Sequence, residues 1–145
     1  MRVIGLDLGS KTLGVAIASD EVSFARAYAN LNFRRGDYKF AVNAVKNIVD
    51  KEEIDTIVIG YPLNMNGTPS EGTRTVDEFI ELMKKEGIDL PIFKIDERMT
   101  TIIAQQELHA SNYHLKNMKG KIDMVAATKI LDTFLERKKN HVLKR

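Results

Sequence analysis

Short apolar runs at the start of the chain predict a sheet that begins with antiparallel strands. Residues 2–9 and 12–18 are rich in Val, Ile, Leu and Ala, and Gly9-Ser10-Lys11 between them is typical of a hairpin turn. A third strand is predicted within Phe24–Phe33. The first part of the chain is therefore expected to be built from strands alone.

From residue 38 onward, helical and strand patterns alternate. Apolar residues recur at helical spacing over 38–51, which predicts a helix, and Ile54–Gly60 has the continuous apolar pattern of a buried strand. This order predicts one α/β domain over residues 1–145, in which helices flank a mixed five-stranded sheet that is antiparallel at the start and parallel afterwards. The remaining predicted elements are a helix containing Val76–Met83 that ends at Gly87, a strand at Pro91–Ile95, a helix at Thr100–Ala110, a polar loop at 111–121, and a helix from about Ile122 to Lys138.

Length and composition are those of an ordinary globular domain. Of the 145 residues, 43% are hydrophobic and 29% are charged, and no Pro- or Gly-rich stretch indicates disorder. The absence of cysteine excludes disulfides and thiolate zinc sites. No apolar run is long enough for a signal peptide or a membrane span, so we expect a cytoplasmic protein without a membrane partner. The formal net charge of +2 is too small to indicate a nucleic-acid partner by itself.

Asp7 is a carboxylate inside the first predicted strand. Alternation puts Ile4 and Leu6 on one face of this strand, and Gly5, Asp7 and Gly9 on the other. A buried ion without a partner is costly, so we expect a metal or another cation beside Asp7. The alternative interpretation is an aspartate that supports a turn by accepting hydrogen bonds from backbone amides.

Asp123 falls in the middle of the apolar stripe of the last predicted helix. A charged side chain that faces the core needs a partner there. The alternative is an acid at a helix N-terminus that the helix dipole favours, which accounts for its position along the axis but not for its direction. The stripe consists of Ala126, Ala127, Ile130, Leu131 and Phe134, with Lys129, Asp132 and Glu136 broadly opposite.

A third acidic position follows a predicted strand. Asp96-Glu97-Arg98 comes directly after Pro91–Ile95, at the end of a strand where open α/β sheets bind their ligands. Three carboxylates that converge on one crevice can hold two Mg²⁺ or Mn²⁺ ions about 4 Å apart and hydrolyse a phosphodiester. The pattern alone leaves open whether Glu97 or Asp96 joins Asp7 and Asp123 in such a site.

Four sequence blocks, in order along nearly the whole chain, carry a resemblance to a known family. They read IGLDLGSKTLGVAIAS, IVIGYPLNMNGT, DERMTT and KIDMVAATKIL, and together they resemble the YqgF family, also called RuvX. The resemblance implies a ribonuclease-H-like fold and a metal-dependent nuclease, with Asp7, Glu97 and Asp123 as its catalytic acids and metal ligands. It also implies a substrate, either the 5′ end of the precursor of small-subunit ribosomal RNA or, from the family's similarity to resolvases, a Holliday junction.

Nucleic-acid contacts are expected from cations near these acids, and the loop at 111–121 is expected to close over a strand. One departure from the family concerns Arg74. After Asn66-Gly67-Thr68 the family often proceeds quickly to Gly-Pro-Arg, whereas the longer segment here leaves the role of Arg74 as a phosphate contact open. The predicted contacts to nucleic acid are Lys11, Arg98, Lys116, Lys119 and Lys121.

Two other classes of function remain alternatives at this point. The segment DLGSKTLGVAI also resembles the phosphate-binding hairpin of the actin and Hsp70 ATPases, although those proteins need two such lobes and this chain has one. A non-catalytic ribosome-assembly or transcription factor would keep the fold without turnover. The expected partner is a ribosomal RNA precursor or branched DNA, with the ribosome as a further candidate, and the sequence does not distinguish a monomer from a homodimer.

Overall fold

A mixed sheet of five strands forms the centre of the protein. The computed structural model describes residues 1–19, 22–97 and 125–138, and only the backbone of residues 22–24. The strands are β1 (Arg2–Leu8), β2 (Thr12–Ser19), β3 (Val22–Asn32), β4 (Thr56–Tyr61) and β5 (Ile92–Asp96). They lie in the order β3-β2-β1-β4-β5, with antiparallel pairing between β1 and β2 and between β2 and β3, and parallel pairing from β1 to β4 and from β4 to β5. The predicted change from antiparallel to parallel pairing is confirmed.

One strand is longer than its sequence pattern predicts. The apolar pattern places a strand within Phe24–Phe33, whereas β3 begins at Val22, which pairs with Ser19 of β2. The pairing with β2 continues through two register shifts to the partners Thr12 and Asn32. Hydrogen bonds to a neighbouring strand therefore extend β3 beyond the residues whose local pattern indicates it.

The helices begin and end at recognisable capping residues. Asp37 caps the first helix by accepting a hydrogen bond from the backbone N–H of Phe40, at 3.3 Å. Ser70 and Thr73 form a reciprocal capping box at the start of the second helix, which ends before Gly87 with its positive φ of 94°. The helices are α1 (Tyr38–Lys51), α2 (Glu71–Lys85) and α3 (residues 125–138). The predictions for residues 38–51 and for the end at Gly87 are confirmed.

The predicted helix at Thr100–Ala110, the predicted loop at 111–121 and the first residues of the last predicted helix lie outside the described residues. Among the helices that the structure describes, none combines the length and the apolar character that a membrane span needs.

The sheet separates two hydrophobic cores, one against each of its faces. Ile4 and Leu6 of β1 face α1 and α2, where they pack with residues such as Val42 and Phe79. Val3 and its neighbours of the opposite face pack against α3. The predicted alternation of β1 is thus confirmed, and Asp7 belongs to the face that α3 covers.

Helix α3 runs antiparallel to β1 and lies very close to it. A Cβ atom added to Gly5 would be 2.9 Å from Cβ of Leu131 and 3.1 Å from the carbonyl oxygen of Ala127. Further along the helix, Nζ of Lys138 lies 2.9 Å from Sδ of Met1, at the start of β1. The N-terminal end of the described helix is therefore directed toward the edge of the sheet at which β1 ends.

One residue of α3 has a different environment from the predicted one. Asp132 is expected opposite the apolar stripe, yet its Oδ1 accepts a hydrogen bond of 2.7 Å from the backbone N–H of Ala25 in β3. The expectation that Asp132 faces away from the sheet is wrong. Residue spacing on one helix cannot show that an edge strand offers an unpaired amide nearby.

We expect a Gly5→Ala substitution to destabilise the fold by about 1–3 kcal/mol, as overpacking a dense core usually does. The added methyl group would push against the backbone of α3 at Ala127, which cannot move away as a flexible side chain can. Chemical denaturation of both proteins measures this difference. A change in the free energy of unfolding below about 0.5 kcal/mol would show that α3 does not pack on β1 as closely as described.

Candidate active site

Two carboxyl groups meet at the edge of the sheet where the parallel strands end. Asp7 lies near the end of β1, and Glu97 follows directly after β5. The backbone N–H of Glu97 donates a 3.2 Å hydrogen bond to the carbonyl of Tyr61, the last residue of β4. This bond ties Glu97 to the strand that lies between β1 and β5, so that its side chain can reach across β4 toward Asp7.

The side chain of Glu97 makes this crossing above Gly60. The carboxyl groups of Glu97 and Asp7 are joined by a hydrogen bond, in which protonated Glu97 donates to Asp7. A Cβ atom on Gly60 would collide with the carboxyl group of Glu97 and would lie 2.7 Å from Cδ1 of Ile130. Glycine at position 60 therefore leaves the space through which the two carboxyl groups meet.

The same geometry distinguishes Glu97 from its neighbour Asp96. Asp96 is the last residue of β5, and its negative charge contributes to raising the pKa of Glu97. The hydrogen bond to Asp7, however, is made by Glu97. Of the two acids that the sequence pattern leaves open, Glu97 is thus the one whose side chain pairs with Asp7.

Neither carboxyl group has the pKa of an acid that is surrounded by water. Burial, helped by the hydrogen bond and the negative charge of Asp7, raises the pKa of Glu97 from 4.5 to about 10. Burial also raises the pKa of Asp7 above its ordinary 3.8, although the hydrogen bond from Glu97 opposes that rise. Without a cation, the pair retains a proton at neutral pH. A cation between the two groups would replace this proton and favour both ionised forms.

Asn30 of β3 adds an oxygen atom to the same face of the sheet. Asp7 pairs with Gly14 of β2, and Gly14 pairs with Asn30, so that the three residues form one row across three strands. Directly paired residues of antiparallel strands point to the same face, and Gly14 leaves the middle of the row without a side chain. The Oδ1 atom of Asn30 is buried and accepts no hydrogen bond from any residue that the structure describes. Such an atom usually marks a place where water, an ion or a ligand binds.

Asn30 is absent from the residues predicted from the sequence. A signal for it exists, because asparagine is disfavoured in strands and Asn30 lies within a predicted one. That signal is weak by itself, since it does not show which strands neighbour β3 or that Asp7 lies in the same row.

The loop between β4 and α2 borders this edge and is held by its own hydrogen bonds. The backbone N–H of Asn64 donates to the carbonyl of Thr68 at 2.9 Å, and Thr68 donates to Asn66 through both its backbone N–H and its hydroxyl group. Ser70 donates to the carbonyl of Pro62 at 2.5 Å. Arg74 follows in the first turns of α2 and is exposed.

The structure places only some of the predicted site residues. Asp7 and Glu97 are brought together, and Lys11 is exposed at the tip of the β1–β2 hairpin. Within the described ranges, no group of three or more acidic, histidine or cysteine side chains surrounds a possible metal position. The predicted residues that lie outside the described residues are Arg98, Lys116, Lys119, Lys121 and Asp123.

Sequence comparison relates nearly the whole chain to known proteins. Residues 1–137 match a family model described as RuvX, Holliday junction resolvase. A protein of Geobacillus sp. strain WCH70, named "Putative pre-16S rRNA nuclease", is 39% identical over 141 residues, which are 95% of this chain and 99% of the relative. A protein of the same name from Mycoplasmopsis pulmonis is 40% identical over 137 residues, covering 93% of this chain and 92% of the relative.

Solved structures share the fold at much lower sequence identity. RuvC of Thermus thermophilus, in complex with a Holliday junction substrate, superimposes with a TM-score of 0.60 at 14% identity over 96% of each chain. The fowlpox virus resolvase, in complex with Holliday junction DNA, gives a TM-score of 0.54 at 12% identity and covers 94% of this chain and 98% of its own. The ribonuclease-H-like fold predicted from the sequence is therefore confirmed.

Proposed function

The chain belongs to the RuvX family, and on this basis we propose that it is a metal-dependent nuclease that processes the 5′ end of the precursor of 16S ribosomal RNA. The observation that supports this most strongly is the pairing of Asp7 with Glu97 at the edge where the parallel strands end. Two partly buried acids that share a proton destabilise the fold, and a site for cations explains why both are present.

A divalent cation fits the residues at this edge. Asp7 and Glu97 offer carboxylate oxygens, and the buried Oδ1 atom of Asn30 offers a neutral oxygen that has no partner among the described residues. Hard oxygen donors suit Mg²⁺ and Mn²⁺. We propose that Asp7, Glu97 and Asp123 hold two such ions when substrate is bound. The direction of α3, whose N-terminal end points toward this edge, supports the inclusion of Asp123, two residues before its first described residue.

The bound ions would supply Lewis-acid stabilisation of the phosphate and a water molecule of lowered pKa. The chain's own residues would position these groups. Gly60 leaves room for the Glu97 carboxyl group, and Gly14 leaves room between Asp7 and Asn30 for water or a phosphate oxygen. Asn30 would accept a hydrogen bond from a water molecule in this space and so orient it.

The relatives favour ribosomal RNA over the alternatives. Relatives of about 40% identity are named for pre-16S rRNA, whereas the resolvases that share the fold are only 12–14% identical. Cleavage of a four-way DNA junction remains the second candidate, because the family model itself is described as a resolvase. We further propose that the protein acts in the cytoplasm, together with precursor ribosomal particles.

A side-by-side cleavage assay tests this proposal. The purified protein is incubated with a 5′-extended 16S precursor RNA and with a four-way DNA junction, each with Mg²⁺, with Mn²⁺ and with a chelator. We expect cleavage of the RNA extension that depends on a divalent cation. Preferential cutting of the junction would favour a resolvase. Metal binding without cleavage of either substrate would favour a non-catalytic assembly factor, and tight ATP binding would favour the nucleotide-binding alternative.

We also expect Mg²⁺ or Mn²⁺ to raise the melting temperature of the wild-type protein. A ligand present at about 100 times its dissociation constant stabilises the folded state by about 2.7 kcal/mol. Differential scanning fluorimetry against cation concentration measures the effect, and calorimetry gives the stoichiometry. An Asp50→Asn variant, which removes an exposed acid near the C-terminal end of α1, is the matched control and should respond as the wild type does. An equal response of Asp7→Asn would contradict the assignment of Asp7 as a ligand.

A further inference from the structure

A second surface feature lies beside the proposed active site. The turn that connects β3 to α1 is attached to the tip of the β1–β2 hairpin by two backbone hydrogen bonds. The N–H of Phe33 donates to the carbonyl of Lys11 at 3.0 Å, and the N–H of Gly36 donates to the carbonyl of Ser10 at 3.1 Å. Gly36 has a positive φ of 81°, which suits glycine in such a tight connection. These hydrogen bonds hold the turn and the hairpin tip together as one unit.

This unit displays unneutralised positive charge. Lys11, Arg34 and Arg35 are all exposed, and none of them forms a salt bridge with an acid in the described part of the chain. The one acid in the segment, Asp37, is engaged as the N-cap of α1. Residues 33–40 have a formal net charge of +2, and of their three cations Lys39 is paired with Glu86 at 4.0 Å, which leaves the two arginines as the positive charges of the segment that are unpaired within the described ranges.

An exposed aromatic ring follows the two arginines. Phe40 lies in the first turn of α1, and 53% of its surface is exposed, whereas the next two residues of the helix are fully buried. Its backbone N–H donates to Asp37, which keeps it beside the turn. Packing in the hydrophobic core therefore does not explain why a large apolar side chain stands here in water beside cations. Such a combination is typical of proteins that bind single-stranded nucleic acid.

The unit is close to the catalytic carboxyl groups. Ser10 follows Asp7 by three residues, and three residues of extended chain span at most about 10 Å. The turn contacts Ser10 directly, so it lies within a few nucleotides of Asp7. Helix α1 packs against the opposite face of the sheet from Asp7, so a strand bound on this unit would pass over the hairpin tip to reach the active site.

We propose that Lys11, Arg34, Arg35 and Phe40, here named the hairpin–turn surface, bind a single-stranded segment of the RNA that flanks the cleaved phosphate. Arg34 and Arg35 contact backbone phosphates, and Phe40 stacks on an unpaired base. Stacking requires a base whose face is free, which a duplex does not offer. This inference rests on the proposed nuclease function, and it specifies that the nuclease holds its substrate by an unpaired tail.

Binding measurements test the two arginines separately from catalysis. All binding is measured in an Asp7→Asn background, by fluorescence anisotropy with a labelled single-stranded RNA of about 12 nucleotides, a length that covers an ordinary single-strand site. We expect Arg34→Gln/Arg35→Gln to weaken binding by roughly tenfold and to reduce the slope of log K against log salt by about 1.4, because two phosphate contacts are lost. The matched control, Lys51→Gln/Lys85→Gln, removes two exposed cations near the C-terminal ends of α1 and α2 and should bind as the parent does.

The role of Phe40 is tested by substitutions that separate stacking from apolarity. We expect Phe40→Leu to weaken binding of single-stranded RNA about tenfold and Phe40→Tyr to retain it, with neither change affecting a duplex of the same sequence. The chain contains no tryptophan, so Phe40→Trp introduces a single tryptophan as a fluorescent reporter. Its emission should be quenched by single-stranded RNA, whereas the emission of a control Lys85→Trp should not change.

The possible outcomes separate this inference from the proposed function. If wild-type protein cleaves precursor RNA but the arginine and Phe40 variants bind the single strand with unchanged affinity and salt dependence, the inference is wrong and the nuclease proposal stands. If the variants lose binding but the wild type cleaves no substrate, the surface is a single-strand site on a protein that is not a nuclease. Equal losses on duplex and single strand would exclude stacking by Phe40. Melting temperatures of all variants should stay within a few degrees of the parent, because every substituted side chain is exposed.

Discussion

Replacing Asp7 by asparagine or Glu97 by glutamine is expected to abolish cleavage and at the same time to stabilise the cation-free protein. Each carboxylate would help to hold the cations that stabilise the transition state, an effect worth several kcal/mol, so we expect the cleavage rate to fall on the order of 10³-fold or more. Burial also raises the pKa of each carboxyl group, so its ionised form is unfavourable in the folded state. A neutral amide at either position removes this unfavourable burial of charge.

The sign of the pH dependence follows from these shifts. The pKa of Glu97 is about 10 in the folded protein and 4.5 ordinarily, so between these values the folded state holds a proton that the unfolded state has lost. The stabilisation of the folded state by protonated Glu97 is fully present below pH 4.5 and is lost as the pH rises toward 10. The raised pKa of Asp7 acts in the same direction. The melting temperature of the cation-free wild type should thus decrease as the pH rises through the neutral range.

Thermal melts of wild type, Asp7→Asn and Glu97→Gln at several pH values, with a chelator and with Mg²⁺, measure this behaviour. We expect a flatter pH profile for Glu97→Gln than for the wild type, and a reduced response of both variants to Mg²⁺. Asp50→Asn serves again as the control for a surface acid. Full cleavage by a well-folded Glu97→Gln protein would refute the role of Glu97, and Asp96→Asn should then be examined as the alternative acid.

Gly60→Ala is expected to lower cleavage by about 100-fold, since a displacement of about 1 Å in a catalytic group can have an effect of that size. The added methyl group would occupy the space of the Glu97 carboxyl group and would approach Cδ1 of Ile130. Both atoms belong to the ends of flexible side chains, so the fold can adjust by moving them. Glu97 would then turn away from Asp7, and the loss of stability should be no more than about 1–3 kcal/mol.

A second substitution separates the packing effect from the effect on the site. Ile130→Val removes Cδ1. The loss of stability that Gly60→Ala causes should therefore be smaller in the Ile130→Val background than in the wild type. The double variant Gly60→Ala/Ile130→Val should not recover cleavage, because the collision with Glu97 remains. Steady-state cleavage rates and denaturation curves for the four proteins of this cycle provide the measurement. Recovery of cleavage together with stability would show that Gly60 matters only for packing against α3.

Much of the fold could be predicted from the sequence because its elements have strong local patterns. The alternation in β1 reports which of its residues are buried, and the helical spacing in residues 38–51 gives the bounds of α1 as the structure has them. The order of strand and helix patterns also restricts the sheet to an antiparallel part followed by a parallel part. Residues whose environment depends on another element, such as Asp132 and the first residues of β3, are where the predictions differ from the structure.

The sequence pattern determined that Asp7 points away from the core that faces α1 and α2, and that an acid lies at the end of β5. The pattern left Asp96 and Glu97 open, and the family resemblance pointed to Glu97. Only the tertiary structure decided that Glu97 reaches Asp7 above Gly60, and that Asn30 lies in the row of Asp7. Local spacing determines which side of its own element a residue faces. Whether two such residues meet depends on which strands become neighbours, and that is decided by packing between segments far apart in the chain.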